Sequence, residues 1–381
     1  MRSRYKQEAK WMQILKPTGM ILLHLFRLVF GAVFVFSGFV KAVDPYGLAY
    51  KIEDYLSAFG WSNPMFYHLA MPLAVLLPVL ELLLGLMIFL QVNIRWAVVP
   101  GLIFMLLVTP LTWYIAVNNP VTDCGCFGDA LVITNWQTFY KNIILLFAIL
   151  ILQIFRKKFR ELFRPGASVI LTILFATAGI VVAVYSVRHE PLIDFRPYKT
   201  GVNILHEMQI PDNAPKDEYN TTFIYQKDGL QKEFTLENYP ANDSTWQFVD
   251  QKTTLVKKGF VPPIHDFAIV TENHDDLTYE VLQYEKYTYL LIMYQLDKAS
   301  VEGAKAAEKI YQQYKNSSTR FYALTASTEE QIVSFRKANG ITYPFAKTDP
   351  VTLKTMMRSN PGLILLKNGV IKGKWSWRDF E

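Results

Sequence analysis

Cysteine is almost missing from this chain: its 381 residues hold two, Cys124 and Cys126. Two thiolates supply half of a tetrahedral zinc shell, and no histidine lies near them in sequence, so a metal site has little to build on. A resolving thiol for that pair must come from a partner or a small molecule. Other absences narrow the chemistry further. There is no phosphate-cradling glycine loop, no His-Glu-x-x-His and no nucleophile elbow. Long apolar runs stop near residue 190, and beyond that point the composition is that of a soluble protein. That half also lacks a basic run, which argues against nucleic acid as a partner.

The charge that is present is unevenly placed. Residues 1–192 carry 16 Lys+Arg against 9 Asp+Glu, and residues 193–381 carry 23 against 24. The net charge of +6 therefore belongs to the first half. Five stretches there approach the roughly 20 apolar residues that span a hydrocarbon core: Ile21–Val40, Leu69–Leu90, Ala97–Val117, Phe139–Phe155 and Ala167–Val187. The first is too long for a signal-peptide core and has no small-residue cleavage site at Phe39-Val40-Lys41, so it reads as an uncleaved span. Basic residues cluster in the tail 1–17, at Arg95 and in Arg156–Arg164, whereas the loop 118–138 has no Lys or Arg. The positive-inside rule then puts the tail and both basic loops in the cytoplasm. The cysteine loop and everything after about residue 190 fall outside, which in a bacterium means the inner membrane with an oxidising periplasmic face.

Two ionisable residues lie within spans, Arg27 and Glu81. Counted from the cytoplasmic ends of their apolar runs, both sit roughly 10–13 Å deep. Unpaired charge is expensive at that depth, so the two are expected to pair across the first helical hairpin. Between these spans Asp44-Pro45-Tyr46-Gly47 makes a turn. Leu48, Ile52, Tyr55, Leu56 and Phe59 then recur at helical spacing, with Lys51, Glu53, Asp54 and Ser57 opposite. That is a short interfacial helix, on the same side as the cysteines, lying on the outer leaflet or packed over the bundle as a lid.

The stretch Asn118–Asp129 is dense in turn formers and holds Cys124-Gly125-Cys126. Cysteines one residue apart close a disulfide only in a small strained ring, which Gly125 makes accessible and which favours passing oxidation onward. A redox pair, a static bridge and a metal site all remain open readings. For a redox pair, exported protein thiols are the natural exchange partner and a membrane quinone is a candidate electron acceptor.

Arg27, Ser37-Gly38-Phe39-Val40-Lys41 with Asp44-Pro45, Glu81 with Gly85, and above all Cys124-Gly125-Cys126-Phe127-Gly128 resemble the DoxX-like superfamily. Within it they resemble the MauE-type membrane proteins of methylamine utilisation. The resemblance covers about residues 18–156. It implies a four-helix membrane bundle associated with periplasmic redox or disulfide chemistry. The whole chain is similar to multi-domain DoxX proteins of Bacteroidetes-type bacteria.

The rest of the chain divides again. Residues 157–192 hold the basic loop and fifth span, and 193–262 read as a linker followed by a small β unit. In that unit Thr222–Gln226 and Gln231–Leu236 flank the turn Lys227-Asp228-Gly229. From 263 to 381 the pattern becomes strand Tyr287–Met293, helix Val301–Tyr314, strand Arg320–Thr325, helix Thr328–Asn339, then a hairpin Gly362–Leu366 and Val370–Trp375. That order resembles an α/β thioredoxin-like domain, with Pro361 at the position of that family's cis-proline. Yet Gln295-Leu296-Asp297-Lys298-Ala299-Ser300 stands where the family has Cys-x-x-Cys, so thiol exchange cannot occur in this domain. In methylamine systems a MauE-like protein works beside a separate thioredoxin-like one, and this chain joins both modules. A thioredoxin-like fold without cysteines can still take an extended client peptide beside Asn360 and Pro361 by strand addition, and a domain kept for stability or subunit contact is the other reading.

Overall fold

The computed structural model describes residues 18–61, 63–241 and 243–380; the basic tail 1–17 lies outside them. Five helices are long and apolar enough to cross a membrane. They are α1 (Thr18–Val43), α3 (Pro64–Phe89), α4 (Ile94–Asn118), α5 (Asn135–Phe155) and α6 (Pro165–Arg188), and the interfacial helix is α2 (Pro45–Ala58). The apolar runs mark the five spans, each lengthened by a few residues of polar or capping sequence. Asp44 starts α2 by accepting from the Gly47 amide, and Thr134 with Gln137 forms a capping box on α5.

Four of the helices enclose a core of Phe30, Phe34, Ile88, Met105, Ile149 and Leu152. Their outer faces expose Leu107, Ile144 and Ile154, the surface a lipid bilayer would cover. The tightest contact is between α1 and α3. A Cβ on Gly38 would run into the Leu82 backbone, and one on Gly85 would lie 2.6 Å from the Val35 nitrogen. Only glycine allows the helices this close. These contacts also fix the antiparallel register: 31 faces 89, 38 faces 82 and 85 faces 35.

That register overturns the expected Arg27–Glu81 pair. Glu81 lies level with the last turns of α1 and pairs with Lys41. Arg27 lies level with the end of α3, where it donates to the Ile88 carbonyl at 3.3 Å and to the Phe89 carbonyl. A helix C-terminus leaves carbonyls without intrahelical donors, and a guanidinium satisfies them well. Counting depth from the ends of apolar runs failed because α1 and α3 are staggered.

Beyond α6 come α7 (Ile204–Glu207), then a three-stranded sheet of β1 (Glu218–Lys227), β2 (Leu230–Thr235) and β3 (Gln247–Lys257) in the order β2-β1-β3. Its hairpin turns on Asp228 and Gly229, both at positive φ. The C-terminal domain follows with β4 (Val270–Thr271), α8 (Thr278–Leu282), β5 (Tyr287–Ile292), α9 (Val301–Tyr314), β6 (Arg320–Thr325), α10 (Glu329–Asn339), β7 (Phe345–Lys347), α11 (Pro350–Met356), β8 (Gly362–Lys367) and β9 (Val370–Ser376). The sheet order is β4-β7-β6-β5-β8-β9. Strand β5 is parallel to β6 and β6 to β7, while β8 and β9 run antiparallel. With a cis Asn360–Pro361 bond before β8, this is a thioredoxin-like arrangement.

The stretch after residue 193, read as linker, is partly core. Tyr198 and Ile204 are buried with Phe267, Leu290 and Ile371 in this domain. Nearby, Arg196 is 1 % exposed and bonded to Asp194 and Glu190, and Lys374 joins the same cluster. The small sheet is thus an insertion between the domain's first residues and its main body. Its third strand escaped the sequence pattern because β3 has no buried face.

Candidate functional site

The cysteine loop is held from three sides. From α1, the Ser37 hydroxyl donates to the Cys126 carbonyl at 2.7 Å. From α2, the Tyr55 hydroxyl donates to the Cys124 carbonyl at 2.7 Å, and the Lys51 ammonium pairs with Asp123 at 2.8 Å. From α5, Asn135 donates to Asn119 and to the Val121 carbonyl. Within the loop, the Gly125 amide bonds Asp123 at 2.9 Å while Gly125 takes φ +64, a conformation that disfavours a side chain. Phe127 is buried, packed against Phe36 and beneath the Lys141 ammonium. The interfacial helix is therefore a brace for this loop, and Lys51, which sequence alone placed on its solvated face, is one of the struts.

Both thiols are free and half-buried. The Cys126 sulfur lies 3.5 Å from the hydroxyl of Thr138, a residue with no exposed surface. Burial pushes the Cys124 thiol above its ordinary range, only partly offset by Tyr55 and the nearby Lys141 and Lys41 ammoniums. Cys124 is thus kept protonated near neutral pH, a slow nucleophile until its surroundings open. Among the described residues, no group of three or more His, Cys, Asp or Glu is placed to hold a metal ion.

The thioredoxin-like domain sits directly on this brace. Arg358 contacts both Asp44 carboxylate oxygens, the shortest at 2.6 Å, and reaches Asp129 at 3.3 Å. The Lys354 ammonium lies 4.7 Å over the Tyr50 ring of α2. Burial alone would raise the Asp44 carboxyl, but the Arg358 guanidinium outweighs it and holds Asp44 below the usual carboxylate range. Burial raises Asp129, with Arg358 offsetting only part of that. Between the modules lies a cavity of about 310 Å³, lined by Lys41, Lys51, Asp54, Asp123, Lys354 and Arg358 among others. Of these, Lys354 and Arg358 had drawn no attention in the sequence. Arg358 carried no local signal, because its partners lie more than 200 residues away.

The expected peptide-accepting edge is closed in this structure. Pro361 is buried, the Asn360 carbonyl accepts from the Ser300 amide at 2.9 Å, and the Asn360 side chain donates to the Gln295 carbonyl at 2.7 Å. These bonds tie the cis-proline loop to the turn where a thioredoxin would carry its cysteines. With the Asn360 carbonyl and side chain both bonded inside the domain, this edge has less left to offer an added strand.

Residues 19–155 match the family model of methylamine utilisation protein MauE. Residues 219–258, the inserted sheet, match a domain of unknown function (DUF8463). No curated protein matches the chain. Similar solved structures include a putative protein disulfide isomerase from Bacteroides thetaiotaomicron, 18% identical over 30% of this chain and 76% of that one, TM-score 0.26. StoA from Bacillus subtilis is 18% identical over 28% and 84%, TM-score 0.23. A thioredoxin-family thiol:disulfide interchange protein from Chlorobium tepidum is 14% identical over 30% and 88%, TM-score 0.23.

Proposed function

We propose that this chain, which joins a MauE-type membrane module to a thioredoxin-like domain, is an accessory of thiol–disulfide exchange on the periplasmic face of a bacterial inner membrane. Cys124 and Cys126 are its redox pair. The observation that carries this reading is a braced loop presenting two free thiols beside a thioredoxin-like domain that has none. In the exchange, a partner thiolate attacks the Cys124–Cys126 disulfide, and a mixed disulfide forms as one sulfur leaves. The partner's second thiol then resolves it, so the partner is oxidised and the pair becomes a dithiol with two added protons and electrons. Reoxidation returns both electrons and protons to an acceptor, a second disulfide or a membrane quinone. Exported proteins with paired cysteines are the partner class.

The test is the redox state of the pair in living cells, read by alkylation. A working pair exists as a mixture and, with Cys126→Ser or Cys124→Ser, traps a mixed disulfide. A second reading is favoured by the number of bonds holding the loop still: a non-enzymatic scaffold with a static bridge. It requires full oxidation at all times and tolerance of Cys→Ala at both positions. Those outcomes would sink the redox reading.

A further inference from the structure

We propose that Arg358 is a positioning residue for the Cys124–Cys126 pair, through which the thioredoxin-like domain sets the conformation of the cysteine loop. This rests on the redox reading of that pair. The geometry is a clasp over both flanks of Cys-Gly-Cys. On the far flank Arg358 reaches Asp129, three residues after Cys126, at 3.3 Å. On the near side it holds Asp44, whose other task is to cap α2 through the Gly47 amide at 3.1 Å. From α2, Lys51 grips Asp123 and Tyr55 grips the Cys124 carbonyl. One guanidinium therefore reaches residues 123, 124 and 129 by two independent routes. Arg358 itself is 6 % exposed, and its third nitrogen donates to the Lys354 carbonyl at 2.7 Å, so it has little freedom to relax elsewhere.

The domain has lost the thiols that give its fold an exchange activity, and its cis-proline edge is bonded internally. What it offers the membrane module is this contact. Binding free energies are reciprocal: if docking of Arg358 favours one loop conformation, the redox state of the loop changes the strength of docking equally. The clasp closes on a loop whose thiols are free, so releasing it should shift the pair toward the disulfide.

The experiment uses the full chain in detergent. The pair is equilibrated with mixtures of reduced and oxidised dithiothreitol, which exchange two electrons and two protons with it, and its state is read by alkylation. In Arg358→Gln the equilibrium constant should move roughly tenfold toward the disulfide, about 30 mV for two electrons, and the reduced pair should alkylate several-fold faster. Arg358→Lys, which keeps the charge but not the two-pronged contact, should fall between. If Arg358→Gln does not fold, Asp129→Asn, on the turn after the cysteines, should show the same direction of shift. Arg320→Gln, in a surface pair with Glu280, should change neither readout. Unchanged equilibrium and alkylation in a folded Arg358→Gln or Asp129→Asn chain would overturn the clasp. A mixed disulfide trapped in cells alongside indifference to Arg358 leaves the redox reading standing and removes the clasp. A dithiothreitol equilibrium that responds to Arg358, in a protein that never cycles in cells, does the reverse.

Discussion

Glu81 on α3 pairs with Lys41 on α1, and both are largely shielded, with side chains 7% and 14% exposed. The pair lies beneath the cysteine loop: Ser37, one turn before Lys41, bonds the Cys126 carbonyl, and Lys41 also lines the cavity under the thioredoxin-like domain.

Removing one member should therefore cost more than removing both. Glu81→Gln or Lys41→Met alone strands a buried charge and should lower stability by about 3–5 kcal/mol. The double variant Lys41→Met, Glu81→Gln should lose much less. Unfolding of the solubilised chain measures both, and simple additivity of the single effects would show that the two side chains are not coupled.

The α1–α3 contact predicts a second contrast. Gly85→Ala puts a methyl 2.6 Å from the Val35 nitrogen, and backbone cannot step aside as a flexible side chain can. The expected loss is about 1–3 kcal/mol, as for other over-packed cores. Gly166→Ala meets nothing within 4 Å and should change stability by less than about 0.5 kcal/mol. Equal melting temperatures for the two variants would mean the helices are further apart than described.

Docking of the thioredoxin-like domain should be lost in acid. The docked Asp44 carboxyl lies below its ordinary value, so the undocked chain binds more protons as pH falls toward that value. The stabilisation is complete above the free carboxylate pKa of about 3.9 and disappears as pH drops through the lower docked value. Asp129 lies above its ordinary value, so its protonation favours the docked state and the acid release falls to Asp44. Hydrogen-exchange protection along α2 and α11, measured relative to the intrinsic rate at each pH, should be flat from about pH 5 to 8 and fall only below about pH 4. Release already at pH 6 would point to a different titrating group.

Local sequence carried the elements well. Val301–Tyr314 and Arg320–Thr325 were legible to the residue, because the helix has a clear apolar stripe and a Ser300 cap and the strand is a short buried run. Thr328 and Gly340 announced both ends of α10. The cysteine loop was legible because turn formers and the two thiols coincide. What failed was everything set by register and docking. Glu81 could be seen to need a cation, but choosing Lys41 over Arg27 depends on a helix stagger created by Gly38 and Gly85. Tyr198 and Ile204 are core residues without periodicity, since each enters the core from an irregular segment. Arg358 belongs to a short helix end, and its meaning comes from Asp44 and Asp129 in another module.

The last prediction concerns the thiol itself. Burial holds Cys124 above the ordinary thiol range, and Tyr55 opposes this through its own contact with the thiol. In a Cys126→Ala chain, alkylation of Cys124 should thus be slow at pH 7 and keep rising past the pH at which a free thiol levels off. Tyr55→Phe removes the hydroxyl from the Cys124 carbonyl, a loss of about 0.5–1.5 kcal/mol for an ordinary hydrogen bond. The resulting freedom of the loop should expose the thiol. Alkylation would then become faster at every pH, even though a favourable contact to the sulfur has gone, because access and solvation outweigh one hydrogen bond when the dominant cause of the raised value is burial. If Tyr55→Phe instead slows the reaction, the hydroxyl activates the thiol more than the brace conceals it, and Tyr55 would count among the residues that act on the sulfur directly.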